Sequence, residues 1–157
     1  MDKIEPVGTF VVEQIRNGKV ISKIEGHNGI TTQGKNELLK TMFSAESARI
    51  DHWYLGLMGA GAAPVADDTM DYHPGWIEVS DVDETTRQEW LDSDTVASQE
   101  ITNAAVVEYT INNGSGVVIA GIFVTSNSTL NSIIGILWST GLFSSAINAY
   151  DNDVIRL

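Results

Sequence analysis

The feature that narrows the fold most is a rhythm. Short runs of β-branched and aromatic residues are broken about every ten residues by Gly, Asn or Pro. Residues 10–31 read FVVEQIRNGKVISKIEGHNGIT, two strand-like runs on either side of Asn17-Gly18. Asn-Gly is the strongest short hairpin signal, because both central residues of a type I′ turn need positive φ. The pattern predicts an N-terminal β-hairpin over residues 8–26, with Phe10, Val12 and Gln14 on one face. His27-Asn28-Gly29 reads as a second turn or a break in the second strand.

Thr31 to Phe43 is the one good helix candidate. Thr31 or Thr32 can cap its first turn. Leu38, Leu39, Met42 and Phe43 share a face at helical spacing. Gly34 is costly there, by about 1 kcal/mol against Ala, and is explained by a close approach to a sheet. Trp53, Leu55 and Leu57 alternate as a strand, and Gly59 to Pro64 is a connector. Asp68 to Tyr72 has room for one helical turn, Trp76–Val79 and Thr86–Trp90 read as short strands, and Ala105–Ile111 is a clearer one. Asn112 to Gly116 is a strong turn; Val117–Val124 is long enough for a central strand, and Ile133–Trp138 is a further strand. Asn152 to Leu157 begins a terminal strand, either tied into a sheet or cut from a longer one. The sum is about seven to nine strands and one short α-helix near residues 32–43. That predicts a mainly β chain, an antiparallel β-sandwich or jelly-roll-like barrel, forming one domain over residues 1–157.

Charge is distributed unevenly. Six of the nine bases (Lys3, Arg16, Lys19, Lys23, Lys35 and Lys40) fall in the first 40 residues. Between Asp67 and Glu100 stand eleven acids and one base, Arg87. From Tyr109 to Tyr150 no residue is charged. Such a zone reads either as strands packed on both faces or as surface that meets other subunits, where charge is depleted. A net charge of -12 argues against direct nucleic-acid binding, which needs a basic footprint. The start lacks a continuous apolar segment, so no signal peptide is expected, and no apolar run is long enough for a membrane span.

Chemistry-bearing patterns are sparse. The chain has no cysteine, which excludes disulfides, thiolate metal sites and cysteine nucleophiles. His27, His52 and His73 match no zinc spacing. Asp81, Asp83 and Glu84, with Asp92 and Asp94, supply hard oxygen ligands, but the EF-hand frame fails. A divalent cation at these loops stays open beside a solvated or partner-facing acidic surface. Gly59 to Pro64 lacks the Lys-Ser/Thr of a phosphate-binding loop. Trp53 and Trp138 lie in apolar strands and are expected in the core; Trp76 and Trp90 flank the acidic loops and would brace them, or form a sugar platform. No catalytic, cofactor-binding or metal-ligating residue is assigned, and no cofactor is expected.

Several segments together carry a resemblance: Asn28 to Leu39, Trp53-Tyr54-Leu55-Gly56-Leu57, and Asp67-Asp68-Thr69-Met70 with His73-Pro74-Gly75-Trp76-Ile77-Glu78. The N-terminal hairpin at Asn17-Gly18, Thr86-Arg87-Gln88-Glu89-Trp90, Ile101-Thr102-Asn103 and Gly121 to Ser128 complete it, so that it spans residues 10–145. The chain resembles a family of small structural proteins of tailed bacteriophages. The resemblance implies a non-enzymatic virion component, most simply a decoration or cement protein on the outer surface of the head. Its implied partners are major capsid subunits and further copies of itself, a trimer being favoured, with no nucleic acid and no membrane. The alternatives are a tail, tail-fibre or baseplate component, a carbohydrate-binding β-sandwich, and a small hydrolase using loop carboxylates.

Overall fold

Asn17 and Gly18 both take positive φ, 51° and 73°, and close the expected hairpin. It joins β1 (Gly8–Arg16) to β2 (Lys19–Ile30). The computed structural model describes residues 6–44, 48–93 and 100–157; Lys3 and Asp94 lie outside them. On β1, Val12 and Gln14 are buried, and Phe10 packs on the ring of Phe143 at 5.8 Å.

His27-Asn28-Gly29 is neither a turn nor a break. The second strand runs through it to Ile30 and changes partner on the way. Gly8 of β1 pairs with Asn28, whereas Gly29 and Ile30 pair with Thr140 and Ser139 of β7 (Leu137–Ala149). One strand therefore belongs to both halves of the sheet. The remaining strands are β3 (Trp53–Gly59), β4 (Gln88–Trp90), β5 (Glu108–Thr110), β6 (Val117–Thr125) and β8 (Val154–Arg156). Their order is β4-β3-β6-β7-β2-β1-β8-β5, with every pair antiparallel. The two ends of that order meet at Tyr109 of β5. Its hydroxyl donates to the Leu55 carbonyl of β3 and accepts from the Gln88 amide of β4. The protein is thus a nearly closed eight-stranded antiparallel barrel with one short helix.

Two apolar clusters hold it together. The barrel interior contains Val12, Ile24, Leu55, Leu57, Ile119, Ile122 and Ile155. Met58, Phe123, Leu137, Met70 and Trp76 form the second cluster. Because side chains alternate along a strand, Leu57 and Ile122 point into the barrel while their neighbours Met58 and Phe123 point out. The connector from residue 60 to 80 lies over that outer face and buries it with Met70 and Trp76. Strands β3 and β6 are therefore covered on both sides, which explains why β6 carries no charge.

Thr31 caps helix α1 (Thr32–Leu39), accepting from the Gly34 amide at 2.9 Å and donating to the Leu137 carbonyl. A π-helical turn, Lys40–Ser44, follows. A Cβ at Gly34 would lie 2.5 Å from the Trp138 carbonyl oxygen, so the helix reaches β7 as closely as glycine permits. The apolar face read at Leu38, Leu39, Met42 and Phe43 is covered only at Leu38, which is half-buried. Leu39, Met42 and Phe43 are 53%, 63% and 71% exposed.

Three other expectations are corrected. Asp68 to Tyr72 forms turns and bends without a helical turn, tied by paired backbone bonds between Thr69 and Tyr72. Trp76–Val79 makes only an isolated bridge, Glu78 to Met58. The strand expected at Ile133–Trp138 begins at Leu137 and continues to Ala149, through Ser139, Gly141, Ser144 and Ser145, which have weak strand preference.

Candidate interaction surface

Residues 126–136 join β6 to β7 as an Ω-type loop closed at its neck. Ser126 N–H donates to the Ile136 carbonyl, and Ile136 N–H donates to Ser126 Oγ. Inside the loop, Thr129 N–H donates to Asn127 Oδ1 and Ile134 N–H to Ser132 Oγ. Asn131 and Gly135 adopt positive φ of 58° and 115°.

The loop is gripped from below by a buried ion pair. Arg87 and Glu78 have side chains only 0% and 5% exposed. The guanidinium forks onto the carboxylate, Nε to Oε1 and Nη2 to Oε2, both at 2.8 Å. Its other hydrogens reach the loop: Nη1 donates to the Asn127 carbonyl at 2.8 Å and Nη2 to the Ser132 carbonyl at 3.0 Å. Arg87 N–H donates to the Ser128 carbonyl, and Asn131 N–H donates to Glu78 Oε2 at 2.7 Å. Phe123 lies under the guanidinium, 5.3 Å from ring centre to Cζ. An Arg excluded from water must fill its donors or suffer a large desolvation cost, and here two of the four bonds that do so, to the Asn127 and Ser132 carbonyls, also fix the loop. What the loop then presents is apolar: Ile133 and Ile134 are 62% and 69% exposed. The sequence signal for this clamp was visible in Arg87, the one base within the acidic stretch, but nothing in the spacing identified Glu78 as its partner.

Beside the clamp, Trp76 is buried. Its indole N–H donates to Asp68 Oδ2 at 2.9 Å, and its ring stacks on His73 at 3.9 Å. It braces the connector, but against Asp68 rather than the later acidic loops. Trp53 and Trp138 are half-buried and pack on each other at 5.5 Å, at the margin of the core. Trp90 packs partly buried on the barrel cluster.

The other sequence candidates are placed separately. The Asp81 carboxylate accepts from Asn113 Nδ2, and that of Glu84 accepts from the Thr110 amide. Asp83 N–H donates to the Thr110 carbonyl, so this acidic stretch is stitched along β5. Asp92 bridges to Asn103, and Asp94 lies outside the described residues. His27 is exposed on β2 and His73 is stacked. His52 Nδ1 lies 2.6 Å from Glu89 Oε1, and that hydrogen bond raises the imidazole above its ordinary pKa. Among the described residues, no group of three or more His, Asp or Glu is arranged to hold a metal, and no helix is long and apolar enough to cross a membrane.

Two further surfaces are uncovered. One is the helix face of Leu39, Met42 and Phe43, beside Lys40. The other is a shallow groove of about 270 Å³ where β2 and β7 meet the connector, lined by Ile30, Thr31, Pro64, Val65, Thr140 and Leu142. This arrangement consists of a braced loop that exposes two isoleucines, an exposed apolar helix face and an uncharged groove. Compared with family models, curated proteins and solved structures, the chain matches none.

Proposed function

We propose that the protein is a non-enzymatic structural component of a tailed-phage virion, a decoration or cement protein that binds major capsid subunits on the outside of the head. The observation that carries this reading is the helix face. Leu39, Met42 and Phe43 stand together in water although the barrel had two clusters in which to bury them. Large adjacent apolar side chains left exposed mark a contact surface. Each Å² covered contributes roughly 25 cal/mol, and repetition around a shell multiplies a modest patch, although ordering costs offset part of it.

The sequence resemblance supports the same reading. Its segments Trp76-Ile77-Glu78, Thr86 to Trp90 and Thr125 to Ser128 meet at the Arg87 clamp. They share a structural task, the fixing of a loop, and need no catalytic one to explain them. The sugar-platform alternative loses its leading residue, since Trp76 is 4% exposed.

The test is addition of purified protein to capsids that lack it, followed by sedimentation and cryo-electron microscopy. Density on the outer shell is expected, and the double variant Met42→Asp/Phe43→Asp should stay in the supernatant while keeping its far-UV spectrum. Density at the tail, or equal binding by the variant, would overturn the assignment.

A further inference from the structure

Two lysines beside the exposed helix face are out of keeping with the rest of the molecule. With 21 acids against nine bases, a base in this chain seldom lacks a carboxylate nearby. Among the described residues, Arg16, Lys23, Arg49, Arg87 and Arg156 are all ion-paired. Lys35 and Lys40 have no acidic partner among the described residues, and the same holds only for Lys19 at the hairpin turn. Glu37, the acid within α1, stands two positions past Lys35, about 200° round the helix and so on its opposite side. Asp67, at the start of the helix, accepts from the Thr32 hydroxyl at 2.8 Å. By the same rotation Leu39 falls about 40° from Lys35, and Lys40 about 100° further round. The two lysines therefore flank Leu39, from which the apolar stripe continues to Met42 and Phe43.

An apolar face flanked by unmatched cations selects its partner by sign. A basic surface is repelled. A second copy is repelled too, because a two-fold contact through this face sets Lys35 and Lys40 against the same lysines. The net charge of -12 does not cancel the attraction for an acid. In ~0.15 M salt, exposed charges more than about 8 Å apart are largely screened, so the groups at the face decide. We propose that the helix face binds an acidic partner surface, an apolar seat for Leu39, Met42 and Phe43 edged by Asp or Glu side chains that pair with Lys35 and Lys40. This rests on the helix face being the surface that meets the shell, and it gives the capsid subunit's side of that contact a definite chemistry.

Two binding measurements test it. On capsids that lack the protein, Lys35→Gln/Lys40→Gln should bind about 2- to 30-fold more weakly than the wild type in ~0.15 M salt, the range for two exposed charge pairs. The difference should vanish in ~1 M salt, where screening reaches in to about 3 Å. Lys35→Arg/Lys40→Arg, which keeps both charges, and Lys19→Gln, away from the helix, should bind as the wild type does. An unchanged far-UV spectrum is expected for each variant. The second measurement uses synthetic labelled amphipathic peptides with Leu on one face and either Glu or Gln on the other, read by fluorescence anisotropy. The wild type should prefer the Leu/Glu peptide, and the Gln variant should lose that preference. Capsid binding that ignores the two lysines would overturn the acidic partner and leave the virion assignment standing. Preference for the Leu/Glu peptide through Lys35 and Lys40, with no binding to capsids, would do the reverse. Binding to neither would overturn both.

Discussion

Arg87 is the residue on which the most structure converges. Its side chain is out of water and its charge is matched by Glu78 alone. Removing one partner of such a pair strands the other charge, at a cost of about 3–5 kcal/mol. Arg87→Met should therefore lower the urea midpoint steeply, and Arg87→Met/Glu78→Met should recover much of the loss, because no buried charge remains. A double variant as unstable as the single one would show that the loop contacts, not the charge, carry the energy. Asp153 makes a second prediction. Its carboxylate accepts both guanidinium donors of Arg16, at 2.7 and 2.6 Å, and further bonds from Gln14 and the Tyr150 amide. Chiefly through the Arg16 bond, its pKa is pulled down to about 2. A depressed carboxylate stabilises the fold above its unfolded pKa, about 3.9, and that contribution fades as pH falls toward the folded value. With Arg16 half-open to solvent, about 1–2 kcal/mol should be lost over that interval. Melting temperature measured from pH 5 downward should fall less steeply in Asp153→Asn than in the wild type.

At the level of elements, the helix shows how a local rule can be reversed by its surroundings. Replacing Gly34 with Ala raises helix propensity by about 1 kcal/mol. Here the new Cβ would meet the Trp138 carbonyl at 2.5 Å. Gly34→Ala should destabilise the protein by about 1–3 kcal/mol, the range for an overpacked contact, as read by chemical denaturation. The cap at Thr31 and the hairpin at Asn17-Gly18 were legible because their chemistry is local: a hydroxyl for an open amide, two positive φ angles. Strand β6 was legible from its unbroken apolar run. Strand β7 was not, since Ser144, Ser145 and Ala146 fall where its pairing with β6 skips, between Leu142 opposite Gly121 and Ile147 opposite Ile119. A bulge of that kind erases the alternation by which a strand is recognised. Strand β2 was misread at His27-Asn28-Gly29 for a related reason. Those residues favour turns, but here they carry a strand from one half of the sheet to the other. The helix face was read correctly as apolar, yet its exposure depends on what the rest of the chain already fills. The clamp was hidden because Glu78 and Arg87 are brought together only by tertiary packing.

For the molecule as a whole, the weak place in the barrel is the seam between β4 and β5, and Tyr109 bridges it. Burial pushes its phenol well above the ordinary tyrosine pKa, so the hydroxyl stays protonated and keeps its donor. Tyr109→Phe leaves the Leu55 carbonyl and Gln88 amide without their partner, at about 1–3 kcal/mol. Hydrogen exchange should show the Gln88 amide losing protection first, ahead of amides in β1 and β2; uniform loss across all strands would mean that the seam does not open on its own. The strand order has a further consequence, in time rather than in space. Strand β8 lies between β1 and β5, so residues 154–156 fill the edge of a strand synthesised near the beginning of the chain. The hairpin can form as it leaves the ribosome, but its outer edge must wait, unpaired, until almost every other strand has been made. Pairings so distant in sequence are slow to close. Completion of this barrel thus waits on the synthesis of β8, and until then β1 offers an open edge to neighbouring nascent copies.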